Sequence, residues 1–459
     1  MVRGMESTER KRIKFTKGDI RTVVKVAWPS ALESFFIALA GMVDTYMVSG
    51  LDKAAVAAVG LTTQPKFIGL SLVMALKISI SALVARRFGQ KDQDKANAIL
   101  SMGLIFTIVS SILISVLSVV YADPIMRLVG SQEDTHAYAV TYFRIIMGGM
   151  IFNAIQITIN AALRGTGNTK IAMRTNVTAN IVNIFGNYVL IEGRLGFPAL
   201  GISGAAIATV FGTVVACGMS IASVCKKDGY ISLYYIVKNK LVVARDQIGS
   251  MCKLGLSELG ELLLVRVGFL LTALLAANLG TDAMAAHQVG LNVMSLSFSF
   301  GDGLAVAAVA LIGRSLGEKK PERAKQYGNV CLTFGLAISV VLAVIFVAFG
   351  RPFYQLFFTE ELIVDIGVKL MNMMSIIVLM QVSQCVLTGS LRGAGDMIHV
   401  MIVGAVSVSV MRPAVSYLCA YPIGWGIVGI WCGVLADQML RLILNGKRYQ
   451  SGKWMKIKI

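Results

Sequence analysis

The stretch Ala82-Leu83-Val84-Ala85-Arg86-Arg87-Phe88-Gly89 closes a long apolar run, and 228 residues later (82 to 310) Ala310-Leu311-Ile312-Gly313-Arg314-Ser315-Leu316-Gly317 closes another. At the same offset Leu163-Arg164-Gly165-Thr166-Gly167 falls on Leu391-Arg392-Gly393-Ala394-Gly395, Gln156 on Gln384 and Glu33 on Glu261. Chance similarity among apolar segments readily pairs Leu with Ala. It does not readily pair Arg-Gly turns, a Glu and a Gln at one offset, so the chain reads as an internal duplication.

Outward from these anchors, each copy holds six apolar runs, most of them about 20 residues or more, enough to cross ~30 Å of hydrocarbon as a helix. In the first copy they fall at 23–49, 54–84, 96–121, 137–163, 171–191 and 200–224. In the second they fall at 248–278, 283–312, 324–349, 362–387, 399–421 and 424–444. Hydrophobic residues make up 56% of the 459 and charged residues 15%, against roughly a quarter charged in a soluble protein. In lipid only helices and closed barrels satisfy their own backbone, and these runs are too long for barrel strands. The expected fold is an all-α membrane protein with twelve transmembrane helices in two pseudo-symmetric six-helix lobes. Its expected divisions are a cytosolic tail at 1–22, the first lobe at 23–225, a cytosolic linker at 226–247, the second lobe at 248–445 and a cytosolic tail at 446–459. Six is even, so both copies enter and leave the membrane alike. Parallel repeats of this kind flank a central cleft in transporters that rock one half against the other.

The net charge of +18 would suit nucleic acid, but its distribution does not. Lys and Arg crowd the N-terminal tail (Arg3, Arg10, Lys11, Arg12, Lys14, Lys17) and every second loop: Arg86, Arg87, Lys91 and Lys95, then Arg164, Lys170 and Arg174. Lys226 to Arg245, then Arg314 to Arg323, and finally Lys447 and Arg448 complete the series. The intervening loops carry only Lys53, Arg127, Arg194 and Arg351. This is the positive-inside alternation, which puts both termini in the cytosol and the chain in the plasma membrane. A nucleic-acid surface would cluster basic with aromatic residues, and none does. The seven cysteines are scattered without metal-ligand spacing and read as packing residues. No cleavable leader is expected at the N-terminus. No nucleophile–base pair, Walker loop or dinucleotide fingerprint appears, so no enzyme and no cofactor is expected, and pumping would draw on an ion gradient.

Ionisable groups inside membrane spans are costly and mark candidate sites. Asp44 lies near the outer end of the first span, and Glu33 eleven residues earlier. At roughly 100° and 1.5 Å per residue they share one face, about 16 Å apart. Asp44 is a site residue or an interfacial one; Glu33 is a site residue or pairs structurally with Lys77 or another cation. In the fifth span Asn176, Asn180, Asn183 and Asn187 form one stripe. Such amides bond neighbouring helices, or provide hard oxygen ligands for Na⁺ and partners for a protonating Asp. In the second copy Arg266 and Arg412 are expected to neutralise Glu261 and Asp302. His287-Gln288 is expected to begin the eighth helix, as packing rather than as a proton relay. Met371, Met373, Met374 and Met380 fill the tenth span or line an adaptable cavity.

Trp28-Pro29-Ser30-Ala31-Leu32-Glu33, Met42-Val43-Asp44-Thr45, Leu83 to Gly89, Ala161 to Gly167, Ala286-His287-Gln288 and Leu391 to Asp396 together resemble the MATE (multidrug and toxic compound extrusion) family, of the bacterial NorM and DinF type, within the MOP superfamily. The resemblance keeps motif order through nearly the whole chain. It implies twelve helices in two lobes, acting as a monomer in the bilayer and exporting small cationic or amphiphilic molecules in exchange for H⁺ or Na⁺. It also implies a cation site, for H⁺ or Na⁺, at Asp44, Asn183, Asn187 and Thr209, where some members have Asp in place of Asn187. A substrate cavity is expected from Glu33, Glu261, Gln156, Gln384, Met380 and Asn180. The acids that a Na⁺-coupled subgroup carries near Val265 and at Gln384 are missing, and Glu261 lies one turn before Val265. Across the repeat Asp44 falls on Thr272, Asn183 on Met411 and Asn187 on Val415, so the implied site belongs to the first copy alone. Two other readings stay open: a lipid-linked saccharide flippase of the same superfamily, and a membrane receptor or scaffold without transport.

Overall fold

A segment buried in hydrocarbon must bond its own N–H and C=O groups, and each apolar run does so as a helix. The computed structural model describes residues 17–49, 53–227, 229–239, 245–355 and 360–457. Arg3, Arg10, Lys11, Arg12, Lys14 and Lys240 lie outside the described residues. The first half comprises α1 (Lys17–Ser49), α2 (Lys53–Gly89), α3 (Gln93–Val120), α4 (Glu133–Gly148 continued by Met150–Gly165), α5 (Thr169–Leu190) and α6 (Gly201–Val224). The second comprises α7 (Arg245–Ala277), α8 (Thr281–Gly317), α9 (Pro321–Gln355), α10 (Glu361–Ala394), α11 (Met397–Ala420) and α12 (Gly426–Gln450). The duplication reappears in the helix ends. α1 and α7 have 33 residues each and α2 and α8 have 37, both pairs 228 residues apart (17 to 245, 53 to 281).

Among the described residues ten helices are long and apolar enough to cross a membrane, and the two pieces of α4 make an eleventh. That span, read as one apolar run at 137–163, is bent by 44° where the Gly148-Gly149 pair loosens the helix. The twelfth, α5, has 22 residues but owes its lower apolarity to its four asparagines. It lies between α1 and α6, so those amides face protein. The outward faces tell the complementary story. α3 exposes Ile105, Val109, Ile112, Leu113, Val116 and Leu117, and α9 exposes Val340, Val341, Val344 and Ile345. Apolar stripes at helical spacing on an outer surface fit a lipid solvent.

The halves meet along α2 against α7 and α8, and α1 against α8. At the basic ends of α2 and α8 the approach is mutual. A Cβ on Gly89 would come within 2.0 Å of the Arg314 carbonyl oxygen, and one on Gly317 within 2.1 Å of that of Arg86, so only glycine permits the crossing. Further along, Ser34 Oγ on α1 donates to Asp302 Oδ2 on α8 at 3.1 Å. The Phe35 and Phe300 rings stand 6.3 Å apart beside them. Arg86 also donates to the Ile457 carbonyl at 2.9 Å, which ties the chain's last turn to the first half. α1 is thus shared: it packs on α5 of its own half and on α8 of the other.

Candidate cation site

Helices α1 and α5 run parallel, and their polar stripes meet as two rungs. Asn187 Nδ2 donates to Asp44 Oδ1 at 2.7 Å, and eleven residues back along both helices Asn176 Nδ2 donates to Glu33 Oε1. Equal steps on both helices keep side chains in register over three turns.

Asp44 is half-buried, and its partners Asn183 and Asn187 are buried. The Asn183 amide is best satisfied with its nitrogen toward Asp44, donating to Oδ1 at 2.7 Å and Oδ2 at 3.2 Å while its oxygen accepts from Thr209 N and Oγ1. The reverse orientation keeps a 3.0 Å bond from Asn183 Nδ2 to Thr209 Oγ1 but turns one oxygen toward another. Asn187 Oδ1 is buried and accepts no hydrogen bond. With Asn183 turned over, the residues gathered here could present a carboxylate, two amide oxygens and a hydroxyl, hard oxygen donors of the kind that suit H⁺ or an alkali cation. Lys66 supplies a nearby positive charge. It lines a cavity of about 230 Å³ together with Asn153, Thr209 and Thr213.

The rung at Glu33 is different in kind. Glu33 is 2% exposed and bonded by both Asn176 and Arg164. Gln156 donates to Asn176 Oδ1 at 2.6 Å. Across the repeat Arg392 bonds Glu261 at 2.9 Å and Glu258 at 2.5 Å. Both Arg–Glu pairs span 131 residues. The Arg-Gly-x-Gly turn places each guanidinium. Its first glycine lets the turn press on a neighbouring helix, since a Cβ on Gly165 would reach the Ser81 carbonyl oxygen at 2.7 Å and one on Gly393 that of Val309 at 2.7 Å. Its second has positive φ, +83° at Gly167 and +87° at Gly395, which ends the helix.

The family described as MatE matches residues 29–189 and again 259–418, one match per half. The chain belongs to the MATE family. A probable multidrug resistance protein NorM of Thermotoga maritima is 25% identical over 437 residues, covering 95% of this chain and 93% of that protein. An uncharacterized transporter YisQ of Bacillus subtilis is 26% identical, covering 95% of each. The multidrug resistance protein NorM of Vibrio cholerae is 28% identical, covering 94% of this chain and 95% of that one. The outward-facing conformation of a multidrug resistance MATE family transporter of the MOP superfamily superposes with a TM-score of 0.88 at 21% identity, over 96% of this chain and 99% of that one. The fold is a MATE fold, and the chain is a multi-pass membrane transporter.

Several sequence expectations change in this MATE transporter. Arg164, assigned to a cytosolic loop, is buried and is the cation that pairs with Glu33; of the expected Lys77 or another cation it is the other one, and Lys77 lines a cavity of about 70 Å³ with Arg164, Asp302 and Arg392. Arg266 and Arg412 do not neutralise Glu261 and Asp302. Arg266 lies 4.6 Å over the Phe67 ring, and Arg412 lies beside Asp437. Glu261 is instead bonded by Arg392, and Asp302 accepts from Ser34 and shares its cavity with Lys77, Arg164 and Arg392. His287, expected to open α8, stands two turns inside it against Trp431. Of the expected cavity set, Gln384 accepts from Thr388 at 3.2 Å, Met380 is half-buried, and Asn180 Nδ2 is buried without a partner. None of the six lines either cavity above. Glu258 and Lys66 were missed; each is an ionisable residue inside a span, and that signal was available.

Proposed function

We propose that this chain is a multidrug exporter of the plasma membrane, moving organic cations and amphiphiles out of the cell in exchange for H⁺ or Na⁺. Substrate enters between the halves from the cytosol or inner leaflet while Asp44 is ionised. The halves, 23–225 and 248–445, rock about the α1/α8 and α2/α8 seams. A proton or Na⁺ then binds at Asp44 and weakens the hold on substrate, which leaves. Both termini, and the 226–247 linker, lie on the cytosolic side by the positive-inside alternation, and the monomer is the working unit. The multidrug names of NorM relatives that span nearly the whole chain support the substrate class.

The observation that carries the coupling reading is the meeting of Asp44 with Asn183, Asn187 and Thr209, beside an Asn187 oxygen left without a donor. A cation among these groups would be liganded by that oxygen and by Asn183 turned over, so binding would remodel the rung joining α1 and α5. Because α1 also packs on α8, a change at the rung reaches the seam between the halves. The test is ethidium efflux from proteoliposomes with H⁺ and Na⁺ gradients imposed separately. Asp44→Asn should insert and fold yet lose gradient-driven efflux to the level of empty vesicles. Wild-type efflux in that variant would sink the reading.

A further inference from the structure

The second half has no Asp at the place of Asp44, yet its corresponding region is charged. Three register marks locate that region. α1 and α7 align at 228, which puts Thr272 at the place of Asp44. α6 and α12 both begin at a glycine of matching positive φ, Gly201 (+54°) and Gly426 (+53°), and continue Gly-Ile-x-Gly, so they align at 225 and put Asp437 at the place of Gly212. A Cβ on Gly212 would lie 3.4 Å from Asn183 Cβ, so a side chain there adjoins the first-half cation site. Between the two lies α11, whose stretch Ala405–Met411 is π-helical. A π turn takes in one residue more than an α turn, which moves the later residues from offset 228 to 229. Arg412 then stands at the place of Asn183 and Ser416 at that of Asn187. The contacts agree with this register: Gly204 presses on Leu190, and Gly429 on Cys419 and Ala420.

In the second half, therefore, a carboxylate meets a guanidinium where the first half has a carboxylate and an amide. Asp437 is fully buried; Arg441 holds it by 2.8 Å and 3.0 Å bonds, and Arg412 Nε stands 3.8 Å away. Arg412 is 1% exposed, lies 4.4 Å over the Phe269 ring, and leaves Nε and Nη1 without hydrogen-bond partners. Two guanidiniums thus stand on Asp437, and the Glu261 carboxylate, which shares Arg392 with Glu258, also faces Arg441. In the first half the cation beside Asp44 would occupy the corresponding place, next to Asn183.

We infer that the second half carries a counterpart of the cation site whose cation is built in, the Arg412 guanidinium standing where the first half binds and releases H⁺ or Na⁺. This rests on the Asp44 reading above and deepens it. The second half is held in the cation-loaded arrangement throughout the cycle, and only the first half's site exchanges. The other charged or titratable groups around Asp437 and its arginines are His287 on α8, Glu261 on α7 and Cys385 on α10.

The test removes the resident cation from a chain whose first site is silent. Melting temperature of the purified full-length protein in detergent is followed against Na⁺ and against pH. Asp44→Asn alone should lose the wild-type dependence on the coupling cation. Asp44→Asn/Arg412→Gln should regain one, a rise of about 3 °C or more between none and saturating cation, and adding Asp437→Asn should remove it. Arg412→Lys in the same background keeps a resident charge and should stay insensitive. Because Asp437 keeps Arg441, the glutamine variant should fold; Arg412→Met, which keeps the stem, stands in if it does not. A double variant as insensitive as Asp44→Asn overturns the inference. If Asp44→Asn itself keeps the wild-type response, the first-half reading fails. A new response from Arg412→Gln that Asp437→Asn cancels would then still support the built-in cation.

Discussion

At the scale of single residues, two carboxylates on one helix face have opposite fates, and their partners decide which. Glu33 is closed off by a guanidinium and an amide, whereas Asp44 is hydrogen-bonded by the amides of Asn187 and Asn183, the latter backed by the Thr209 hydroxyl. A buried charge stripped of its partner is costly, typically about 3–5 kcal/mol, while replacing both partners is far less so. Arg164→Met should therefore lower the melting temperature sharply, and Glu33→Gln/Arg164→Met should recover much of the loss; the double-mutant cycle measures the coupling. Asp44→Asn should leave the melting temperature near wild type in the absence of coupling cation, since an amide can replace the carboxylate against Asn187. Asp44 and its asparagines were legible in the sequence because charge and amide inside an apolar run are conspicuous. Arg164 was misread because it stands one residue from a helix end, where sequence alone does not separate a loop cation from a buried one.

At the scale of elements, the Arg-Gly-x-Gly turns were legible as a repeated pattern, but their purpose was not. Gly167→Ala and Gly395→Ala place a Cβ on a left-handed backbone, and each should destabilise by about 1 kcal/mol or more. A loss of efflux from either variant larger than the loss of folded protein would show that the turn also aims its arginine. The connection between α3 and α4 is clamped by His136 Nε2 on Asp123 Oδ1 at 2.8 Å, with Ser131 Oγ at 2.7 Å from the other ring nitrogen. The hydrogen bond from His136, helped by Arg127, holds the Asp123 carboxyl below its ordinary value of 3.8. A carboxyl so depressed contributes its stability in full above that ordinary value and loses it as the pH falls through the lower one. The protection factor of amides across 122–136, that is exchange relative to an unstructured chain at the same pH, should therefore hold at neutral pH and fall only in strong acid. Asp123→Asn should lower it already at neutral pH.

At the scale of the whole molecule, the halves meet through glycine crossings and shared apolar packing, in which the Ser34–Asp302 bond is a polar bridge. If the halves rock, joining them there should stop the cycle. In a background freed of the seven native cysteines, Ser34→Cys/Asp302→Cys should oxidise to a disulfide that abolishes dye efflux, with recovery on reduction. Undiminished efflux from the oxidised protein would show that α1 and α8 do not part.

The sequence by itself determined the membrane environment, the twelve-helix duplication and the stripe carrying Asp44, because apolar length, a fixed offset and the cost of polar groups in lipid are local or periodic properties. Only the tertiary structure decided which charge meets which. Glu33 and Arg164 are 131 residues apart, and Glu261 and Arg392 the same. Such pairs form when a helix end is pressed against a distant span. The register of α11 against α12, changed by a π-helical stretch that no composition announces, is set by packing as well.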